Sequence, residues 1–272
     1  MISSPDPDPN PDTGRIVGIA LVVHKLETAI AFYGEGLGFA LEGRSDAGGK
    51  VSAALSLGGV RLRLDQPSSP GRPYPAERSA NDPWFQHFAI RVSDMDAAFN
   101  PLSGTPFTAI STGGPQQLPA SSGSVIAFKF RDPDGHPLEL SHYPGAPPPA
   151  GKSPFLTIDH SAIAVSDLDA SIAFYCDRLG FRVAAQLINQ GPTQWRLDGL
   201  DGAVVDIVVL KPAGAGPHLE LLRYRTPSPA APLEGVGPND IAATRLLVSA
   251  ADGGGEVLTD PDGHLVELVK PS

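Results

Sequence analysis

The chain has 272 residues, 41% hydrophobic and 18% charged, enough to bury two ordinary domains or four small modules that share two cores. A formal charge of -10 offers no basic stripe for phosphate backbones, so nucleic acid and anionic membranes are disfavoured and a small-molecule partner is expected. The single Cys176 excludes an internal disulfide framework, the opening MISSPDPDPNPDTG lacks the features of a secretory signal, and no run of about 18 apolar residues reads as a membrane span. The expected location is therefore cytoplasmic.

Residues 1–14, rich in Pro and Asp, are predicted to form a disordered arm. The segment IVGIALVVHKLETAIAFYGEGLGF at 16–39 then reads as strand, turn, amphipathic helix and glycine stop, and it returns as IDHSAIAVSDLDASIAFYCDRLGF at 158–181. A turn followed by a strand, RDPDGHPLEL at 131–140, returns as TDPDGHLVEL at 259–268. Between these landmarks FQHFAIRVSDMDAAF at 85–99 restarts the strand-to-helix pattern, and TRLLVSAADG at 244–253 restarts it more weakly. The sequence thus divides into an N-terminal domain, 15–146, with modules 15–80 and 81–146. A C-terminal domain, 153–272, has modules 153–232 and 233–272, the last abbreviated and lacking its helix. Turn-forming stretches at 68–83, 143–154 and 226–240 read as linkers. With 30 Gly and 29 Pro, the fold class is α+β and rich in strands.

Side chains alternate along each predicted strand, which sorts the polar residues by face. His87, Ala89 and Arg91 oppose Phe88, Ile90 and Val92, while His160, Ala162 and Ala164 oppose Ile163 and Val165. By the same alternation Glu139, Glu220 and Glu267 stand opposite the leucines and valine beside them. Imidazole nitrogen with carboxylate oxygen is a ligand mixture suited to a divalent transition metal, and a carboxylate on that face can also exchange protons with substrate. The plainer alternative is a hydrogen-bonded strand histidine and a solvent-facing glutamate. His136 and His264, in the DPDGH repeats, read as turn residues. His24, His142 and His218 fall at strand ends without a matching partner, and Cys176 reads as a small buried hydrophobe.

The openings HFAIRVSDMDAAF and HSAIAVSDLDASIAFY, the FY-x-x-x-LGF helix ends and the DPDGH-x-x-EL closings resemble the vicinal oxygen chelate superfamily, which holds glyoxalases, bleomycin resistance proteins and extradiol dioxygenases. The resemblance implies four tandem βαβββ-type modules forming two cupped mixed β-sheets flanked by helices. It also implies one divalent metal ion (Ni, Zn, Mn or Fe), held by a His from each opening strand and a Glu from each closing strand of a cup. Carried over by position, His87 and Glu139 serve module two and His160 and Glu220 module three. Module one has Gly18 in the His place and Arg63 near the Glu place, and module four has Ala243 near the His place with Glu267 retained.

Pairing modules one with two and three with four would leave both cups incomplete. Pairing two with three gathers His87, Glu139, His160 and Glu220 into one metal site and leaves the other cup without metal, which is the favoured arrangement. The resulting expectation is a glyoxalase-like isomerase or lyase in which Glu139 or Glu220 shuttles a proton. One alternative is a non-haem iron extradiol dioxygenase assisted by His142, Tyr143 or Tyr224. Another is a metal-free binding or resistance protein with a pocket lined by Trp84, Phe85, Phe128 and Trp195. Two cups in one chain make a monomer sufficient, with a homodimer through a sheet edge as the other possibility.

Overall fold

The computed structural model describes residues 13–84, 86–146, 151, 153–228 and 235–271. Residues 1–12 of the expected arm lie outside the described residues, as do Phe85 and residues 147–150, 152 and 229–234 within the expected linkers. Gly14, placed with the arm by sequence, belongs to the fold, since its N–H donates to the Ser249 carbonyl at 2.7 Å.

Module one comprises β1 (Ile16–Val22), α1 (Leu26–Ala31), β2 (Ala40–Ala47), β3 (Lys50–Leu57) and β4 (Val60–Pro67). Module two comprises β5 (Gln86–Val92), α2 (Met95–Leu102), the short β6 (Thr108–Ala109) and β7 (Gln116–Gln117), then β8 (Ile126–Arg131) and β9 (Pro137–His142). Module three contains β10 (Phe155–Ala164), α3 (Leu168–Ala173), β11 (Arg182–Gln190), α4 (Pro192–Asp198), β12 (Val204–Lys211) and β13 (His218–Thr226). Module four is β14 (Arg245–Ser249), β15 (Val257–Thr259) and β16 (Leu265–Val269), with no helix among the described residues. The sequence reading did not anticipate α4. Pro192 in its first turn and Gly199 at φ 59° after its last residue are the signals that start and stop it.

The repeated motifs have structural causes. In VSD, the aspartate caps the next helix: the Asp94 carboxylate accepts from the Ala97 N–H at 2.8 Å and Asp167 from that of Ala170 at 3.1 Å. In FY-x-x-x-LGF, the helix widens into a π turn over Phe32–Gly36 and Phe174–Arg178 and buries Tyr33 and Tyr175 completely. Those hydroxyls reach the first aspartate of DPDGH in the following module, Tyr33 to Asp132 at 2.7 Å and Tyr175 to Asp260 at 3.1 Å. Each motif of the pair is therefore one half of a clasp joining consecutive modules.

The clasps act within each half of the chain, whereas strand pairing crosses between the halves. A nine-stranded sheet has the order β11-β12-β13-β10-β5-β9-β8-β6, with β7 also on β8, and so combines modules two and three. A seven-stranded sheet, β15-β16-β14-β1-β4-β3-β2, combines modules one and four. Each sheet is mixed, its two opening strands antiparallel at the centre and each opening strand parallel to its own closing strand. The principal cores largely follow the halves, with Phe155 and Ile158 joining the first and Ile16 the second. One gathers Leu21, Leu62, Phe88, Phe128 and Leu140 with α1 and α2, and the other gathers Ile163, Tyr175, Leu219, Leu246 and Val266. Fully burying each such side chain contributes about 1.5–3 kcal/mol, so the halves have their own adhesive and the sheets lock them together.

The stretch at 68–83, expected as a linker, is anchored. Gly71 N–H donates to the Asn239 carbonyl, Arg72 pairs with Asp240 at 2.7 Å, and Tyr74 is buried beneath the Arg78 guanidinium and against His136. No helix among the described residues is long and apolar enough to cross a membrane.

Candidate metal centre

Four neighbouring strands, in the order β13-β10-β5-β9, bring Glu220, His160, His87 and Glu139 to one concave face. Ala89 stands in register with Glu139 on one side and His160 on the other, and Ala162 with Glu220 and His87. Both alanines are fully buried, and their small side chains leave space for the larger groups set diagonally around them. One ligand atom each from His87, Glu139 and His160 lies within 4.8 Å of the others, with His87 Nε2 3.5 Å from Glu139 Oε2. Glu220 stands at the margin: its Oε2 is 4.0 Å from His160 Nε2, while its Oε1 takes a hydrogen bond from His218 Nε2 at 3.3 Å. His160 is steadied from behind, its Nδ1 3.1 Å from Asp159 Oδ2, which also accepts the Tyr143 hydroxyl at 2.8 Å.

A buried lysine completes the floor. Lys129, in register with Glu139, lies 3.9 Å from that carboxylate and 2.8 Å from Asp198 Oδ1, and Asp198 Oδ2 accepts from Gln194 and from the Tyr224 hydroxyl. Asp198 and Gln194 come from α4, so the helix absent from the sequence reading supplies part of the site. Lys129 itself was readable, because it alternates with Phe128 and Phe130 on β8 and must face away from their core.

The electrostatics suit a cation. Burial pushes the Glu139 carboxyl up despite Lys129 and His160, whereas for Glu220 burial is outweighed by His160 and His218 and the carboxyl is held down. Burial would depress the His160 imidazole, but Glu220, Asp159 and Glu139 raise it to about 9. Burial, helped by Lys129 and His160, keeps His87 well below the ordinary histidine value and hence neutral, as a ligand nitrogen must be. The acids Glu139, Glu220, Asp159 and Asp198 outnumber the two cations, Lys129 and the protonated His160, and a divalent ion that displaced the His160 proton would offset that excess. The donor set of imidazole and carboxylate fits such an ion.

Among the described residues the second cup has no cluster of histidine and carboxylate donors. In both central modules the histidine lies two residues before the strand partner of the glutamate; the same register gives Gly18 before Ala20, partner of Arg63, and Arg245 before Leu247, partner of Glu267. Arg245, not Ala243, therefore occupies the module-four position. Ala243 precedes β14 and packs in a small cluster with Val22 and Ile241. A Cβ on Gly18 would come 2.3 Å from the Arg61 carbonyl oxygen, which leaves no room for a histidine there. Arg63 donates to both oxygens of Glu267 at 2.8 and 2.6 Å and to Asp65 at 3.0 Å, and Lys50 donates to Asp65 at 2.8 Å. Glu267 and Asp65 are thereby committed to internal cations.

The family model of the glyoxalase/bleomycin resistance protein/dioxygenase superfamily matches residues 15–140 and 157–252. The chain belongs to this superfamily. Glyoxalase I from Zea mays has the same fold, with 19% identity, a TM-score of 0.63 and coverage of 94% of this chain and 92% of that one. A putative dioxygenase from Bacillus subtilis subsp. subtilis str. 168 has 13% identity, a TM-score of 0.59 and coverage of 95% and 86%. No curated protein matches the sequence significantly.

The other candidates of the superfamily member sort cleanly. His136 and His264 are structural: each ring Nε2 lies 2.8–2.9 Å from a strand carbonyl, of Val22 and Ala164, and each backbone N–H donates to the first Asp of its turn. His142 Nδ1 sits 3.3 Å from the Val92 carbonyl, and His24 pairs with Asp134 at 2.9 Å. Cys176 packs half-buried against the second core. His218, set aside in the sequence, is a neighbour of the site through Glu220. The expected aromatic lining is not found: Phe128 is buried in the first core against Phe99 and Phe130, Trp195 donates to the Ala203 carbonyl, and Trp84 packs beside Val236. Tyr143 and Tyr224 are the aromatic residues that do face the pocket, and Phe85 lies outside the described residues.

Proposed function

We propose that this chain is a metal-dependent isomerase or lyase of the glyoxalase type, acting on a small substrate that presents two adjacent oxygens. The observation that carries this reading is the convergence of His87, Glu139 and His160 within 4.8 Å, with Glu220 close by but engaged elsewhere. His87, His160 and Glu139 would hold one divalent ion, with Glu220 as an optional fourth ligand. When bound, the ion supplies a Lewis acid for negative charge developing on a substrate oxygen. Glu220, kept ionised by His160 and His218, accepts a proton from the carbon beside that oxygen and returns it to the neighbouring carbon. Glu139 stays with the ion. Lys129, fixed by Asp198, keeps positive charge at the floor, and Val205, Ile207 and Leu222 give the pocket dry walls. The pocket, about 100 Å³ in volume, favours a substrate whose reacting portion is small.

The partial withdrawal of Glu220 supports a second reading. His87, His160 and Glu139 without it form the two-histidine, one-carboxylate set of non-haem iron oxygenases, which points to ring cleavage of a catechol.

Elemental mass spectrometry on protein purified without affinity tag or chelator tests the centre. About one ion per chain is expected, lost from both His87→Ala and His160→Ala, because removing a ligand should exceed the ~10–100-fold affinity loss typical of outer partners. Absence of any ion after reconstitution would overturn the metalloenzyme reading in favour of a metal-free binding protein. Glu220→Gln is expected to keep the ion and lower turnover of α-hydroxycarbonyl substrates by about 10²–10⁴-fold. Iron retention with oxygen uptake on catechols would select the dioxygenase instead.

A further inference from the structure

The concave face of the seven-stranded sheet retains an open cleft of about 810 Å³ over β1, β3 and β4. Arg15, Arg61 and Arg63 line it against one acid, Glu42, whose carboxylate already takes the Ser56 hydroxyl. Such a lining reverses the character of a chain whose net charge is -10. Arg61 and Arg63 occupy alternate positions of β4 and face the same side of the sheet. Their situations differ. The Arg63 fork is spent on Glu267 and its Nε on Asp65, whereas the side chain of the half-buried Arg61 makes no hydrogen bond or ion pair among the described residues. On the opposite wall, the Arg15 guanidinium is tethered by a hydrogen bond to the Ala215 carbonyl at 3.0 Å.

We propose that this cleft, in the cup that lacks metal donors, binds the oxyanion of a small molecule, a carboxylate or phosphate, on the guanidinium fork of Arg61. A planar guanidinium that is half desolvated and uncommitted is preorganised for bidentate oxyanion recognition. Arg63 and Arg15 add positive potential, and because their donors are partly occupied they contribute field more than hydrogen bonds. The cleft is large enough for the body of a metabolite as well as its charged end. The chain would then carry two unlike cups, one for a metal and one for an anion. This second site stands whether or not the first holds metal.

Isothermal titration of the full chain with inorganic phosphate and, separately, with succinate, at ionic strength fixed by chloride, tests the assignment and tells the two oxyanions apart. Saturable binding of at least one is expected, weakened more than about tenfold in Arg61→Gln, since that change removes the charge and the fork together. Arg61→Lys, which keeps charge without the fork, should fall between the two, and both variants should melt with the native chain because Arg61 has no partner to lose. His160→Ala, in the other cup, should leave the affinity unchanged. No saturable binding of either probe, equal affinity in Arg61→Gln, or loss in His160→Ala alone would overturn the proposal.

Discussion

At the scale of single residues, the proposed centre relies on groups that aim His87, His160 and Glu139 as much as on those three side chains. Asp159 holds His160 through Nδ1, and its carboxyl is lowered to about 2 because hydrogen bonds from His160 and Tyr143 outweigh its burial. A ring so held turns Nε2 toward the cup. Asp159→Asn keeps the shape but weakens the hold, and metal affinity is expected to fall about 10–100-fold, measured by competition with a chromophoric chelator. Unchanged affinity would reduce Asp159 to a bystander. His87, Glu139, His160 and Glu220 were legible because strand alternation is a local rule. Lys129 obeyed the same rule and was overlooked, while Asp198 was hidden in a short helix marked only by Pro192 and Gly199.

Among the elements, β1, β4, β14 and β16 show how one scaffold supports opposite chemistry. Their register repeats that of the cup holding His87 and His160, yet the positions hold Gly18, Arg63, Arg245 and Glu267. In the fourth module the position falls to Arg245 rather than Ala243 because it is set by the register of Leu247 with Glu267, which the sequence does not display. Burial raises the Asp65 and Glu267 carboxyls, but Arg63 and Lys50 outweigh it and both are held below their ordinary values. Depressed carboxyls contribute stability that is complete above their unfolded values and is lost as pH falls through the folded ones. The melting temperature should therefore decline from about pH 4 downward. Arg63→Met leaves two partly buried acids with fewer partners and should cost about 2 kcal/mol at neutral pH, a few degrees of melting temperature. It should also flatten the acid decline, and calorimetry across that range reads both effects. An unaltered acid profile would mean that other carboxylates govern it.

For the whole molecule, helix clasps and strand ladders connect different partners. Tyr33 with Asp132 and Tyr175 with Asp260 join neighbours in sequence, whereas β5 with β10 and β1 with β14 join the two halves. A polypeptide of residues 13–146 alone would expose the edges of β1 and β5 and hold His87 and Glu139 without His160. It should not persist as a monomer, and light scattering after gel filtration should find dimers or larger species. Metal binding is expected to return only when residues 153–271 are co-expressed with it. A monomeric, metal-binding half would contradict the shared sheet.

What the sequence by itself determined was local and periodic: the duplicated openings and closings, the strand faces, and the pairing of a histidine with a glutamate in the central modules, where the outer ones retain only Glu267 at those positions. The choice of which modules share a sheet could be inferred from that ligand inventory, since only one pairing completes a set, but the tertiary structure decided it. Backbone hydrogen bonds between distant strands do not depend on side-chain identity, so no residue of β5 names β10 as its partner. The contents of the other cup were decided at the same level, because Arg63 meets Glu267 only after strands far apart in the chain have fixed their register.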